Sequence, residues 1–516
     1  MKDITVIIFC FCAFGGGFGV DGARGNKRFF WQVSDFHFDA SYSSSHGDPN
    51  KMCHEDSVSN FSQLGMFGNY LCDAPWKLVT SAMQAMKDFS PDPDFILWTG
   101  DSIPHVKDAD ISLEKVYINI GNVTDEIRKT FPNTSIYPVL GNHDSYPSNE
   151  MPYDINISDY YRQILTSSHW DSLLDNNCQK QFQKGGYFSI SPHFGLRIIA
   201  LNTNLYSTLN TLTNHLVDPA DQFQWLDGQL DDARKSKENV FLVAHISPGL
   251  FEKIPNFPWF YEDYNKRYLD LLRKHADIIT AQFYGHEHTD SFRLLYDSNS
   301  TEKPIGCLLL SPSVTPWRST LPGVGANNPS IRLFEYDIET GIIQRYQQFY
   351  LNLTAANIDG NATWLQEYDT KEDYALDKIT PYDMQHLVDS FYNIKNGIFQ
   401  KYLIFNSVSQ EMTPACNSSC FQQNICAITK LVVDEYESCI AGSKTTSNPS
   451  STNNPDSTTK KHHDHDNDFP KVMYYVIGAI AIVIFAIFLI IGFLCISRRR
   501  KIVPPRYAKF GSLPVN

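Results

Sequence analysis

The stretch Ser135-Ile136-Tyr137-Pro138-Val139-Leu140-Gly141-Asn142-His143-Asp144 is an apolar run that breaks at a glycine into three polar side chains in succession. An apolar run of this length predicts a buried strand. The glycine lets the backbone turn sharply and keeps side-chain bulk away from the polar groups that follow. The same design recurs four times. A run over 29–34 leads into Asp35-Phe36-His37, and one over 95–99 leads into Gly100-Asp101. A third, over 240–244, ends at His245, and a fourth, over 278–284, meets Gly285-His286-Glu287-His288. In an extended chain residues i and i+2 face one side, so Asp35 with His37, and His286 with His288, are each expected to grip a common ion.

These strand ends supply two Asp, one Asn and four His as donors, with His143 left over. Oxygen and imidazole donors without thiolate suit zinc, manganese or iron, and they suffice for two ions if one carboxylate bridges. An isolated Asp-x-His pair says little, and a lone strand-end His is commonly structural. The force of the pattern lies in five such ends in one order. Further strands are expected over 196–201, 305–310 and 331–336, and amphipathic helices over 76–89, 113–130 and 222–235. Strand–helix alternation predicts an α/β (α+β layered) architecture with ligands gathering at strand ends. Residues 379–439 read as mainly helical.

With 516 residues, 42% hydrophobic and 19% charged, the chain is neither disordered nor fibrous. Acids outnumber bases 57 to 43, which argues against a nucleic-acid polymer as partner. An acidic body does not draw anionic substrates from a distance, so bound cations must supply the local attraction.

The ends of the chain carry their own signals. Lys2 followed by the apolar run 4–20 reads as a secretory signal, assigned to 1–23. The stretch 472–496 is free of charge and long enough to cross a bilayer as one helix. Arg498-Arg499-Arg500-Lys501 follows it, so a type I single-pass protein is expected, with its body extracellular or lumenal (cell surface, endosome or lysosome) and a basic cytoplasmic tail over 497–516. A flexible stalk is expected over 442–470. Its His462-His463-Asp464-His465-Asp466 run reads as a solvated charge run before a metal site. Asn-x-Ser/Thr acceptors stand at Asn60, Asn122, Asn133, Asn156, Asn299, Asn352, Asn361 and Asn417. Cys53 and Cys72 bracket a loop that a disulfide could close, and Cys416, Cys420, Cys426 and Cys439 read as local staples. The state of Cys178 and Cys307 stays open. Phe257-Pro258-Trp259-Phe260-Tyr261 is equally an aromatic loop for a ligand or a packed surface loop. Tyr507-Ala508-Lys509-Phe510 fits a short endocytic signal.

The series Asp35-x-His37, Gly100-Asp101, Gly141-Asn142-His143-Asp144, His245 and Gly285-His286-x-His288 resembles the calcineurin-type metallophosphoesterase superfamily. Within it the chain is similar to the acid sphingomyelinase-like phosphodiesterases, and specifically to their phosphodiesterase-3-like branch. Cys72-Asp73-Ala74-Pro75-Trp76, His105, Asn327-Asn328-Pro329-Ser330-Ile331-Arg332 and Tyr350-Leu351-Asn352-Leu353-Thr354 carry that closer likeness. The resemblance implies a β-sandwich catalytic domain flanked by helices over 28–350 and a small helical, disulfide-linked subdomain over 351–441. It implies two zinc ions, ahead of manganese or iron. Asp35, His37 and His288 would bind one and Asn142, His245 and His286 the other, with Asp101 between them. His143, oriented by Asp144, would stabilise the phosphoryl group, and His105 would protonate the leaving oxygen. The expected activity is phosphodiester hydrolysis on nucleotides or phosphocholine compounds outside the cell. Sphingomyelin hydrolysis to phosphocholine and ceramide is one alternative, and a catalytically idle receptor or lipid-binding module is another. Oligomeric state stays open.

Overall fold

The computed structural model describes residues 27–55, 64–153, 157–298 and 300–442. Twelve strands build two six-stranded sheets. They are β1 (Lys27–Val33), β2 (Phe95–Trp98), β3 (Ser135–Pro138), β4 (Phe188–His193), β5 (Leu196–Ala200) and β6 (Asn239–Val243). The remainder are β7 (Ile279–Tyr284), β8 (Ser291–Asp297), β9 (Ser300–Leu310), β10 (Ser330–Asp337), β11 (Ile343–Leu351) and β12 (Trp364–Asp369). The first sheet has the order β12-β11-β10-β1-β2-β3 and the second β8-β9-β7-β6-β5-β4.

Each sheet combines parallel and antiparallel strands. In the first, β1, β2 and β3 run parallel while β10, β11 and β12 are antiparallel additions. In the second, β5, β6, β7 and β9 run parallel, flanked by antiparallel β4 and β8. Parallel strands are buried on both faces, which explains why FILW at β2 and NVFLV at β6 read as continuous apolar runs. The sheets pack through aromatic rings. Phe30 of β1 stacks on Phe95 and Phe334 at 4.8 and 5.0 Å and meets Phe283 and Phe241 of the other sheet at 5.4 and 5.7 Å.

Helices cover the outer faces. Trp76–Phe89 buries Leu78, Val79, Ala82, Met83 and Met86 along one stripe, and Phe89 stacks on Phe349 of the first sheet. Glu262–Lys274 lies on the second sheet, where the Tyr268 and Tyr284 hydroxyls are 3.0 Å apart. Four C-terminal helices, Pro381–Phe391, Ile398–Asn406, Ser418–Thr429 and Val433–Gly442, occupy the region that reads as helical in the sequence. Disulfides join Cys53 to Cys72, Cys416 to Cys420 and Cys426 to Cys439, while Cys178 and Cys307 are buried free thiols.

The single-pass membrane assignment needs correction. No helix among the described residues is long and apolar enough to cross a membrane, so neither the transmembrane helix nor the type I localisation is carried forward. The stretch 472–496 lies outside the described residues, as do the signal 1–23, the stalk beyond residue 442, the basic tail, the Tyr507 motif, and Asn60, Asn156 and Asn299.

Phe30 touches rings from both sheets, so Phe30→Ala is expected to cost about 3–5 kcal/mol through the cavity it leaves. Urea unfolding followed by tryptophan fluorescence measures that loss.

Candidate metal centre

The carboxyl ends of β1, β2 and β3 from one sheet meet those of β6 and β7 from the other. Backbone bonds fasten the ends together. Asp35 N–H donates to the Gly100 carbonyl at 3.0 Å and Gly285 N–H to the His245 carbonyl at 2.9 Å. Gln32 Nε2 crosses between the sheets to the Tyr284 carbonyl at 2.9 Å. The local conformation differs from the extended one expected for Asp35-x-His37 and His286-x-His288. Asp35, His37, Asp101, His286 and His288 all lie in the left-handed region, with φ of 53°, 40°, 56°, 72° and 59°. The chain curls as it leaves each strand and turns the donor inward, at a backbone cost of roughly 1–2 kcal/mol per residue. Two glycines make room for this. A Cβ on Gly141 would sit 2.0 Å from Asp101 Oδ1, and one on Gly285 would sit 2.0 Å from Ser34 Oγ.

The donors converge into three overlapping groups, one of which joins His37 and His288 with His105. Asp35, His37 and Asp101 offer atoms within 4.8 Å of one another, and so do Asp101, His245 and His286. Asp101 Oδ2 is 3.4 Å from His37 Nε2 and 3.2 Å from His245 Nε2. His288 Nε2 lies 3.1 Å from His37 Nε2 and 3.6 Å from Asp35 Oδ1. Asn142 Oδ1 is 2.9 Å from His245 Nε2. His286 Nε2 is buried with no hydrogen-bond partner, an orphan that a cation would satisfy. All seven sequence-predicted donors are brought together, and their nitrogen and oxygen chemistry fits a pair of divalent ions.

The atoms behind the donors set their aim. His37 Nδ1 bonds the Ile103 carbonyl at 2.6 Å and His245 Nδ1 the Thr99 carbonyl at 2.7 Å, so both rings present Nε2 to the centre. Asn142 donates its amide to Asn149 Oδ1 at 3.0 Å, which turns its oxygen the other way. Burial pulls the His37 and His245 imidazoles down, but the Asp35 and Asp101 carboxylates outweigh it and hold both at about 9. Burial dominates at His143 and His288 and lowers each to about 4.

His143 and Asp144 behave differently from expectation. Asp144 does not bond the His143 imidazole. Its carboxylate accepts from the backbone N–H groups of Gly141, Asp101 and Ser102 at 2.8, 3.0 and 2.8 Å, so it ties two strand ends together. His143 Nδ1 has no partner, while its backbone N–H donates to Asp101 Oδ1 at 2.8 Å. His105 lies between His37 and Trp317, stacked at 3.9 and 3.8 Å, with Nδ1 bonded to Asp73.

A cleft of roughly 240 Å³ opens over these groups. His105, His143, Asn142 and Asn149 line it together with Trp317, Leu321, Val324, Phe257 and Trp259. Trp259 is nearly buried, edge-on to His286 at 4.2 Å, and donates its indole N–H to Glu287 at 2.8 Å. The aromatic loop is therefore packed and also walls the site. Sequence reasoning passed over the placement of Asp73, Trp317 and Asn149. Asp73 alone left a trace, in the Cys72-Asp73-Ala74-Pro75-Trp76 motif; a loop Trp and a loop Asn carry none.

Two sandwiched sheets with clustered donor groups at their carboxyl ends define a dimetal phosphoesterase. Comparison with known proteins agrees: residues 30–290 match the calcineurin-like phosphoesterase family, and residues 303–446 match the acid sphingomyelin phosphodiesterase C-terminal region. The chain is 41% identical to acid sphingomyelinase-like phosphodiesterase 3b of Homo sapiens, over 83% of this chain and 93% of that one. It is 36% identical to cyclic GMP-AMP phosphodiesterase SMPDL3A of Homo sapiens, over 80% and 89% respectively. It is 34% identical to sphingomyelinase phosphodiesterase C of Dictyostelium discoideum, over 80% and 92%. The chain belongs to the acid sphingomyelinase-like phosphodiesterase family, a family of phosphodiester hydrolases with a dinuclear metal centre.

Two outcomes are expected here. Gly141→Ala pushes a methyl group into Asp101 and should lower metal affinity by about 10–100-fold, the range seen when ligand support is lost, as read by chelator competition. For the metal-stripped protein, His37 and His245 stay protonated when folded to about pH 9, whereas unfolded histidine loses its proton near 6.5. Their stabilising contribution is complete below about pH 6.5 and is lost as pH rises through 9. Melting temperature should therefore fall from pH 6.5 to 9 after chelation, and added divalent metal should remove that decline.

Proposed function

We propose that Asp35, His37 and His288 hold one zinc ion and Asn142, His245 and His286 a second, with Asp101 shared between them. The protein would then hydrolyse phosphodiesters of nucleotides or of phosphocholine compounds. The observation that carries this reading is the convergence of seven nitrogen and oxygen donors from both sheets beneath one cleft. When bound, such a pair of cations supplies an activated water and neutralises charge on the phosphoryl oxygens. The side chains do the rest. His143 lines the cleft with Asn142 and would donate to a phosphoryl oxygen as negative charge develops there. His105 also lines the cleft, its ring 4.5 Å from that of His143, and would hand a proton to the departing oxygen. Asp144 holds the Gly141 turn and so keeps His143 and Asp101 in register.

A sphingomyelin-type substrate is the second reading. Aromatic and aliphatic side chains wall the cleft, and among its described lining residues there is no Lys or Arg to meet additional phosphates. Aromatic faces suit both a nucleobase and a quaternary ammonium.

The purified protein would be assayed with ATP, cyclic GMP-AMP and detergent-dispersed sphingomyelin at pH 5 and 7. Faster turnover of the nucleotides supports the first reading and faster phosphocholine release the second. Asp101→Ala should remove bound metal and reduce turnover by at least about 100-fold together, since each group in a shared centre depends on it. Retention of two ions by Asp101→Ala, measured by elemental analysis, overturns the shared-carboxylate assignment.

A further inference from the structure

Asp73 has no place in the metal set, yet it is fully buried and both its oxygens are committed. It accepts from the backbone N–H of His105 at 2.6 Å and lies 3.0 and 3.2 Å from His105 Nδ1. The Thr315 hydroxyl donates to it at 3.0 Å. A carboxylate that grips a residue by both backbone and ring leaves that ring little freedom. The faces of the ring are closed as well, by His37 on one side and Trp317 on the other. With Nδ1 turned to Asp73, the nitrogen left for the cleft that His105 lines is Nε2.

The surroundings of Asp73 fix it in turn. It follows Cys72, whose disulfide to Cys53 anchors the preceding loop. Thr315 belongs to the segment after β9, and its backbone N–H donates to the Asp35 carbonyl at 3.0 Å. One carboxylate thus joins the disulfide loop, the segment after β2 and the segment after β9. A buried carboxylate is costly, and the converging donors lessen that cost only in part, so burial still pushes the Asp73 carboxyl up to about 7.

We propose that Asp73 is a positioning residue for phosphodiester hydrolysis: it fixes the tautomer and aim of His105 so that Nε2 delivers the proton to the leaving oxygen. The proposal rests on the acid role assigned to His105 above. In the step, a water oxygen bonds to phosphorus as the bond from phosphorus to the leaving oxygen breaks, and that electron pair stays on the leaving oxygen. The Nε2 proton passes to it. Neutral His105 carries that proton on Nε2 when Nδ1 accepts from a protonated Asp73 carboxyl. As Nε2 releases its proton the Asp73 proton moves to Nδ1, and the proton lost by the attacking water returns the pair to its starting state. No proton is consumed overall.

The test uses a series of methyl aryl phosphates whose leaving groups run from p-nitrophenol to phenol. A positioned acid flattens the dependence of kcat on leaving-group basicity; a purely structural carboxylate has no influence on that slope. Asp73→Asn keeps the shape of the side chain and should lose about 100-fold on the phenol ester but under about threefold on the p-nitrophenyl ester, within the range of general acid catalysis. KM and the two bound ions should stay as in the parent, by elemental analysis. Thr315→Val removes only one support and should steepen the slope in the same sense by less, which keeps the idea testable should Asp73→Asn fold poorly. His105→Ala is measured beside them. A steep slope for His105→Ala with a parental slope for Asp73→Asn and Thr315→Val overturns the positioning role and leaves the acid assignment standing. A parental slope for His105→Ala overturns the acid assignment and the proposal with it. Equal losses on every ester for Asp73→Asn assign it a structural role and overturn the proposal.

Discussion

The site depends on how closely Asp101 can approach the glycine turn after β3. Its Oδ1 lies against Gly141 and accepts the His143 amide, while its Oδ2 stands between His37 and His245. That position belongs to two of the donor groups and to both sheets. It is accessible only because residue 141 has no side chain and because Asp144 pins the turn through three amides. The remaining donors are arranged around this carboxylate by the ends of their own strands.

Gathering so many polar groups in a dry place has an electrostatic cost, and the chain meets it in two ways. At His37 and His245 burial pulls down, but attraction to Asp35 and Asp101 overcomes it and each ring is held protonated in the absence of a cation. Where imidazoles crowd one another, burial wins: His286 falls well below its ordinary range and His143 and His288 fall to about 4. Coordination requires neutral imidazole and ionised carboxylate. His286 and His288 are already in that state near neutral pH, so in the proposed centre a cation would displace protons only from the two that Asp35 and Asp101 hold.

Much of this was legible in the sequence because buried parallel strands and strand-end donors both leave strong local marks. All eight expected strands exist, and the seven expected donor side chains converge. What escaped is governed by contacts distant in sequence. β8, SFRLLYD, hides behind Arg293, which is buried only because Glu252 and Glu287 flank it. β11 and β12 alternate with Gln, Arg and Glu at the sheet margin and carry no apolar run. The curl at Asp35 and His37 was misread as extended because local pattern does not reveal φ in non-glycine residues. The Asp144 role was misread because adjacency in sequence to His143 suggested a bond, whereas the carboxylate turns back to its own loop and to the end of β2.

The same long-range logic explains why the C-terminal region belongs with the metal-binding sheets. Glu287 stands between two candidate ligands, and its carboxylate points away from them toward Arg293 at 2.7 Å and Trp259 at 2.8 Å. Arg293 also pairs with Glu252 at 2.9 Å, and Glu252 in turn accepts from Asn406 of the helix Ile398–Asn406. Asn406 reaches back to the Asp290 carbonyl at 2.9 Å, two residues beyond His288, and Asp290 is itself held by Arg332 of β10 at 2.6 Å. Removing one partner from a buried ion pair typically costs about 3–5 kcal/mol, so this chain of charges resists piecemeal loosening. The loop carrying His286 and His288 is thereby clamped from the C-terminal side. The wall residue Trp259 is clamped by the same Glu287. Donor placement and cleft shape thus share one buried network, and the helices that complete it are part of the site's mechanics.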